Sequence, residues 1–166
     1  MPFEMMHFRG ADRIIKAKNL EDDLRITLEY LDETLSGTIY RRELLRQSLD
    51  EMDWRGDDGT LNFLDGRRYQ YKGFKRGVAI EGNFSAYEFI LEGLFRLQVG
   101  FDKGIVECGI LMLTSQRSEK SSYGTSRKLA EAEVELLYPT ISMPVSIALF
   151  DLGPPIISDG SEEGSD

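Results

Sequence analysis

The stretch GVAIEGNFSAYEFILEGLFRLQVGFDKGIVECGILML, residues 77–113, decides the fold. It opens with a short β-branched run that ends in Glu81, Gly82 and Asn83. Tyr87, Ile90, Leu91, Leu94, Phe95 and Gln98 then recur at spacings of three and four, which predicts a helix over 85–99. Residues 104–114 form a near-continuous apolar run, broken at Glu107, of the kind a strand covered on both faces requires. Strand, helix and buried strand in this order imply an α/β sheet domain.

Working outward, SQRSEKSSYGTS (115–126) reads as a polar loop, 126–138 as a helix, and VSIALFD (145–151) after Pro144 as a last strand. The tail ISDGSEEGSD is disordered by composition. Toward the N-terminus, Leu24, Leu28, Leu31 and Leu35 define one face of a helix over 20–36, with Gly37 as its stop. Leu44, Leu45, Leu49 and Met52 define a second helix over 40–52. Trp54 follows as a packing anchor between helices and sheet, and RGDDGT is turn-rich. NFLDGRRYQYKGF (62–74), with Asp65-Gly66 at its centre, predicts a β-hairpin. The expected fold is α/β, a mixed central sheet flanked by helices. It forms one domain over 1–157, with a helical N-terminal part at 1–56, a sheet core at 57–157 and an acidic tail at 158–166.

A chain of 166 residues with 41% hydrophobic content suits one domain whose core needs no covalent staple. Cys108 is the single cysteine, so no intrachain disulfide forms, and it reads as a small buried thiol. His7 is the single histidine, which rules out a Cys/His zinc cluster; near the N-terminus it reads as exposed rather than as a general base. The sequence has neither a signal-peptide start nor an apolar run of membrane length, so a cytoplasmic protein is expected, without contact to membranes. The net charge of −9 is uneven: −6 over 1–66, +1 over 67–157 and −4 over 158–166. An acidic whole speaks against nucleic acid as a partner. Arg67, Arg68, Lys72, Lys75 and Arg76, however, cluster around the hairpin and could meet phosphates locally; a charged strand edge held off aggregation is the equal alternative.

Glu81 and Asn83 stand two apart on a strand and so share a face. Asp65 lies far enough before them for a hairpin to return it alongside. Two carboxylates there could hold Mg2+, which takes oxygen ligands and activates water for phosphodiester hydrolysis. Solvated surface acids are the plainer reading of the same spacing.

GVAIEGNF, SAYEFILEGLFRL and GIVECGILML together resemble the core of the PD-(D/E)XK nucleases, most of all type II restriction endonucleases of the BglII/BstYI kind. The resemblance spans about two-thirds of the chain and includes Trp54 before the hairpin. It implies a Mg2+-dependent DNA endonuclease that works as a homodimer. Glu81 would be its metal-binding acid, and Asn83 would stand where the family carries Lys or Gln to position the attacking water. Glu107, on the following strand, would be a further ligand, or else an acid paired with Lys103 or Arg96. Lys72 stands where these relatives carry an Asp, and a protonated lysine cannot ligate a cation. The metal role then falls to Asp65, or the site is broken. The rival expectation is a non-catalytic protein that keeps the nuclease fold for binding, for example a defence-system subunit.

Overall fold

The computed structural model describes residues 3–56, 59–64, 66–82, 84, 90–115 and 124–152, without the side chains of 61–64. Asp65, Asn83, the first part of the helix expected over 85–99, most of the polar loop at 116–123 and the acidic tail at 158–166 lie outside these residues.

Five strands form the main sheet: β1 (Phe3–Phe8), β4 (Gly73–Lys75), β5 (Val78–Glu81), β6 (Cys108–Thr114) and β7 (Val145–Phe150), in the order β1-β7-β6-β5-β4. The three central strands, β5, β6 and β7, run parallel, and the two edge strands pair antiparallel to them. Helix α4 (Ile90–Asp102) connects β5 to β6, and α5 (Arg127–Leu136) connects β6 to β7. A parallel pair needs such a crossover, which covers one face of the sheet. The other face carries α1 (Ala11–Ala17), α2 (Glu21–Leu35) and α3 (Arg41–Glu51). A separate two-stranded hairpin, β2 (Thr60–Leu64) with β3 (Arg67–Gln70), precedes β4.

Alternation sorts the core. Val78, Ile80, Ile110, Met112 and Phe150 pack with the leucines of α2 and α3. Ala79, Leu111, Leu113, Ile147 and Leu149 pack with Leu94 and Leu97 of α4 and Ala130 and Val134 of α5. Both faces of β6 and β7 are therefore dry, which is why their sequences read as unbroken apolar runs. Trp54 is fully buried in the α2–α3 layer, and its Nε1 donates to Asp23 Oδ1 at 2.9 Å. The β4–β5 turn has Arg76 at φ 51° and Gly77 at φ 86°, the mirror-type geometry that matches strand twist in two-residue hairpins.

The N-terminal part is not wholly helical as expected. Residues 3–8 add an edge strand, with Phe3 opposite Phe150 and Met6 opposite Ile147. The exposed His7 is fixed in that strand, its Nδ1 2.7 Å from the buried Ser146 Oγ. The helices at 21–35, 41–51 and 127–136 and the hairpin form where the sequence predicts. The strand expected from residue 104 begins only at Cys108, because 103–107 turn the chain out of α4.

Candidate functional site

Glu81 closes β5 at the C-terminal end of the parallel strands, the end where open α/β sheets present their sites. It shares the face of Ala79, so it points into the α4 layer. Its side chain is 0% exposed. A carboxylate without water needs donors, since an unpaired buried charge is very costly. Two reach it, one to each oxygen: Tyr69 Oη–H donates to Oε1 at 2.6 Å, and Arg96 Nε–H donates to Oε2 at 2.9 Å.

Each donor is held in turn. Arg96 belongs to α4, whose Leu94 and Leu97 anchor the helix on the sheet. Its guanidinium also lies over the Tyr69 ring, 5.7 Å from the centroid. Tyr71 meets Tyr69 edge-on at 5.7 Å and donates its hydroxyl proton to the Arg96 carbonyl at 2.6 Å. Burial, together with the nearby negative charge of Glu81, pushes the Tyr71 phenol up to about 12, so it stays a neutral donor. Gly82 lets β5 approach β6 at this point: it sits at φ +111°, and a Cβ there would lie 2.2 Å from the Met112 carbonyl oxygen.

Lys72 lies just before β4. Its ammonium lies 6.0 Å from the Tyr69 ring centroid. Glu81 is thus held by Tyr69 and Arg96.

Glu107, expected as a further ligand, is not brought to this site. It precedes β6 at the level of Gly77, whereas Glu81 is level with Leu111. Four residues of strand separate the two levels, about 13 Å. Glu107 is 61% exposed and pairs with Lys18 at 2.5 Å, rather than with Lys103 or Arg96. The expected basic strip is also dispersed. Lys75 is largely buried and donates to Asp23 Oδ2 at 2.7 Å and to the Met52 carbonyl at 3.2 Å, so it is committed to the fold instead of to a phosphate. Arg76 donates to the Lys18 carbonyl at 2.9 Å. Arg67 and Arg68 are exposed on β3, where successive residues point to opposite faces. Asp65 and Asn83 fall outside the described residues.

The described residues around Glu81 do not by themselves fit a Mg2+ centre. The cation takes several oxygen ligands, usually including one or two carboxylates. Here both oxygens of the buried Glu81 carboxylate accept protein donors, one of them the Arg96 guanidinium. Among the described residues no three of His, Cys, Asp and Glu converge anywhere. The sequence singled out Glu81 but not its partners. One signal pointed to them: a lone acid at the end of an apolar strand demands a cation, and Arg96 sits within the apolar helix that must pack on that strand.

No protein-family model and no curated protein sequence matches the chain. Solved structures do. The crystal structure of restriction endonuclease BglII complexed with a DNA 16-mer aligns with TM-score 0.66 at 16% identity, over 91% of this chain and 77% of that one. Free BglII aligns with TM-score 0.60 at 16% identity, over 90% and 79%. The chain therefore has the restriction-endonuclease-like α/β fold. No helix among the described residues is long and apolar enough to cross a membrane.

Proposed function

We propose that this chain is a nuclease-fold protein that binds duplex DNA and does not hydrolyse it through a resident Mg2+. The observation that carries this reading is the closed coordination of Glu81 by Tyr69 and Arg96. A guanidinium and a phenol take both carboxylate oxygens. Opening Glu81 to a metal would break both of these hydrogen bonds. The support for DNA is the BglII complex, whose fold this chain shares, together with exposed Arg67 and Arg68 on the hairpin beside the site. A homodimer is part of the proposal, through Leu91 and Phe95, which stand one turn apart and largely exposed on α4.

The test is fluorescence anisotropy of a labelled 16-base-pair duplex over a salt series, run beside plasmid cleavage in Mg2+ and Mn2+. Salt-sensitive binding with no cleavage is the expected result. Salt sensitivity follows from phosphate contacts, because cations on the protein release counterions. Absence of binding at low salt would end the DNA reading. Metal-dependent cleavage lost in Glu81→Gln would end the non-catalytic one.

The likeness to BglII favours a second reading, a Mg2+-dependent endonuclease. In it Asp65 and Glu81 would hold the cation, and Asn83 would orient the water by hydrogen bonding. The same cleavage assay decides between the two.

A further inference from the structure

A cavity of about 190 Å³ opens between the start of α3 and the edge formed by the end of β3 and the residues before β4. Arg42, Leu45, Arg46, Arg55, Gln70 and Lys72 line it. Four of these six side chains are cationic and none is acidic, in a protein whose net charge is −9. Such a concentration of like charge is unfavourable unless something negative sits among it.

The charges are held there by the fold. Arg42 and Arg46 stand four residues apart, one turn along α3, so both point the same way. Arg42 stands in its first turn, where the helix dipole favours an anion and disfavours a cation. Neither arginine has a hydrogen-bond or ion-pair partner among the described residues. Arg55 is fixed from behind: its guanidinium donates to the Lys72 carbonyl at 2.9 Å and to Gln70 Oε1 at 3.3 Å. Burial lowers the proton affinity of Arg55, and the neighbouring charge of Arg46 lowers it further, with Asp50 opposing in part. Leu45 is buried and supplies an apolar floor. The volume is below the roughly 300–1,000 Å³ of pockets that enclose whole drug-sized ligands. It suits a small polyvalent anion with some water.

We propose that this cavity binds a phosphate group. Guanidinium forks match its oxygens in pairs, and Lys72 adds a point charge. The group can come from a DNA backbone or from free phosphate, and both present the same chemistry. The inference stands on the cavity's own charges and does not depend on the DNA reading.

The experiment compares the whole chain with Arg42→Gln/Arg46→Gln, two exposed positions whose change leaves the core intact. The first arm titrates inorganic phosphate against chloride at equal ionic strength and follows thermal unfolding. Phosphate at ten times its Kd should raise the wild-type midpoint by roughly 3–6 °C. The double variant should lose most of that rise. The second arm measures anisotropy of the labelled duplex. If the cavity takes a backbone phosphate, the variant binds about tenfold more weakly and its log–log salt slope falls by about one. A lost phosphate response with unchanged duplex binding assigns the site to free phosphate, and loss of both assigns it to DNA. A phosphate response without any duplex binding sinks the DNA reading and keeps this one. The proposal is overturned by equal phosphate responses in the two proteins, or by no phosphate response in the wild type together with unchanged duplex binding.

Discussion

Replacing Arg96 by Met keeps the length of the side chain and removes the charge that faces Glu81. The carboxylate is wholly buried, so water cannot take over from the lost Nε–H at 2.9 Å. Tyr69 remains as one neutral donor at 2.6 Å. Removing one partner of a buried ion pair costs about 3–5 kcal/mol, most of it the desolvated charge left behind. The reverse change, Glu81→Gln, keeps an acceptor for Tyr69 and leaves Arg96 with 27% of its side chain exposed, able to turn toward solvent. That change should cost only about 1–2 kcal/mol. Combining Glu81→Leu with Arg96→Met removes both charges, and replacing a buried pair by apolar groups is often neutral or stabilising. The two ends of one contact therefore differ in cost, and the double change is milder than Arg96→Met alone. Urea unfolding gives these free energies, and thermal unfolding should show Arg96→Met lowered by roughly 6–20 °C for a chain of this size. A cost below about 1 kcal/mol for Arg96→Met, or a double variant that costs more than Arg96→Met alone, would refute a buried, coupled pair.

Further outcomes follow from other parts of the fold. Burial raises the Asp23 carboxyl, but hydrogen bonds from Lys75, Trp54 and Thr27 outweigh it and hold the group below its ordinary value of 3.8. Its stabilisation is thus complete above that value and is lost as pH falls through the lowered one. Asp23→Asn should cost about 1.5–3 kcal/mol at pH 7 and progressively less below pH 3.8, by urea unfolding across that range. Gly82→Ala should cost about 2–5 kcal/mol, since it joins a positive φ to a clash with the Met112 carbonyl; chemical denaturation measures it. Glu107→Gln should change stability by less than about 1 kcal/mol and leave any divalent-cation response untouched, because its contact with Lys18 is exposed. Burial pushes the Cys108 thiol up to about 12, so it should resist thiol reagents at pH 8 until the chain is unfolded.

Much of the architecture is legible in the sequence because burial imposes periods. Leu24, Leu28, Leu31 and Leu35 mark one helix face, GILML reads as a strand covered on both sides, and SIALF reads as a strand. Strand β1 is not legible. FEMMHF has no β-branched residue and no turn signal, and it becomes a strand because β7 offers it an open edge. Glu81 was visible as an acid closing an apolar strand, but what surrounds it depends on tertiary approach. Arg96 lies fifteen residues on and meets Glu81 only because α4 crosses back over the sheet. Lys75 and Glu107 looked like members of a binding strip and a metal site. Their true partners, Asp23 and Lys18, come from the helical layer on the other side, which no local spacing announces.

Divalent-cation binding by the whole chain, read as thermal unfolding in rising Mg2+ and then Mn2+ against salt of matched ionic strength, probes the closed state of Glu81 most directly. With both oxygens held by Tyr69 and Arg96, the midpoint should stay within about 1 °C of the control, since only a ligand that prefers the native state shifts it. A saturable rise of several degrees that disappears in Glu81→Gln would mean the carboxylate is available to metal, and the non-catalytic reading would fall.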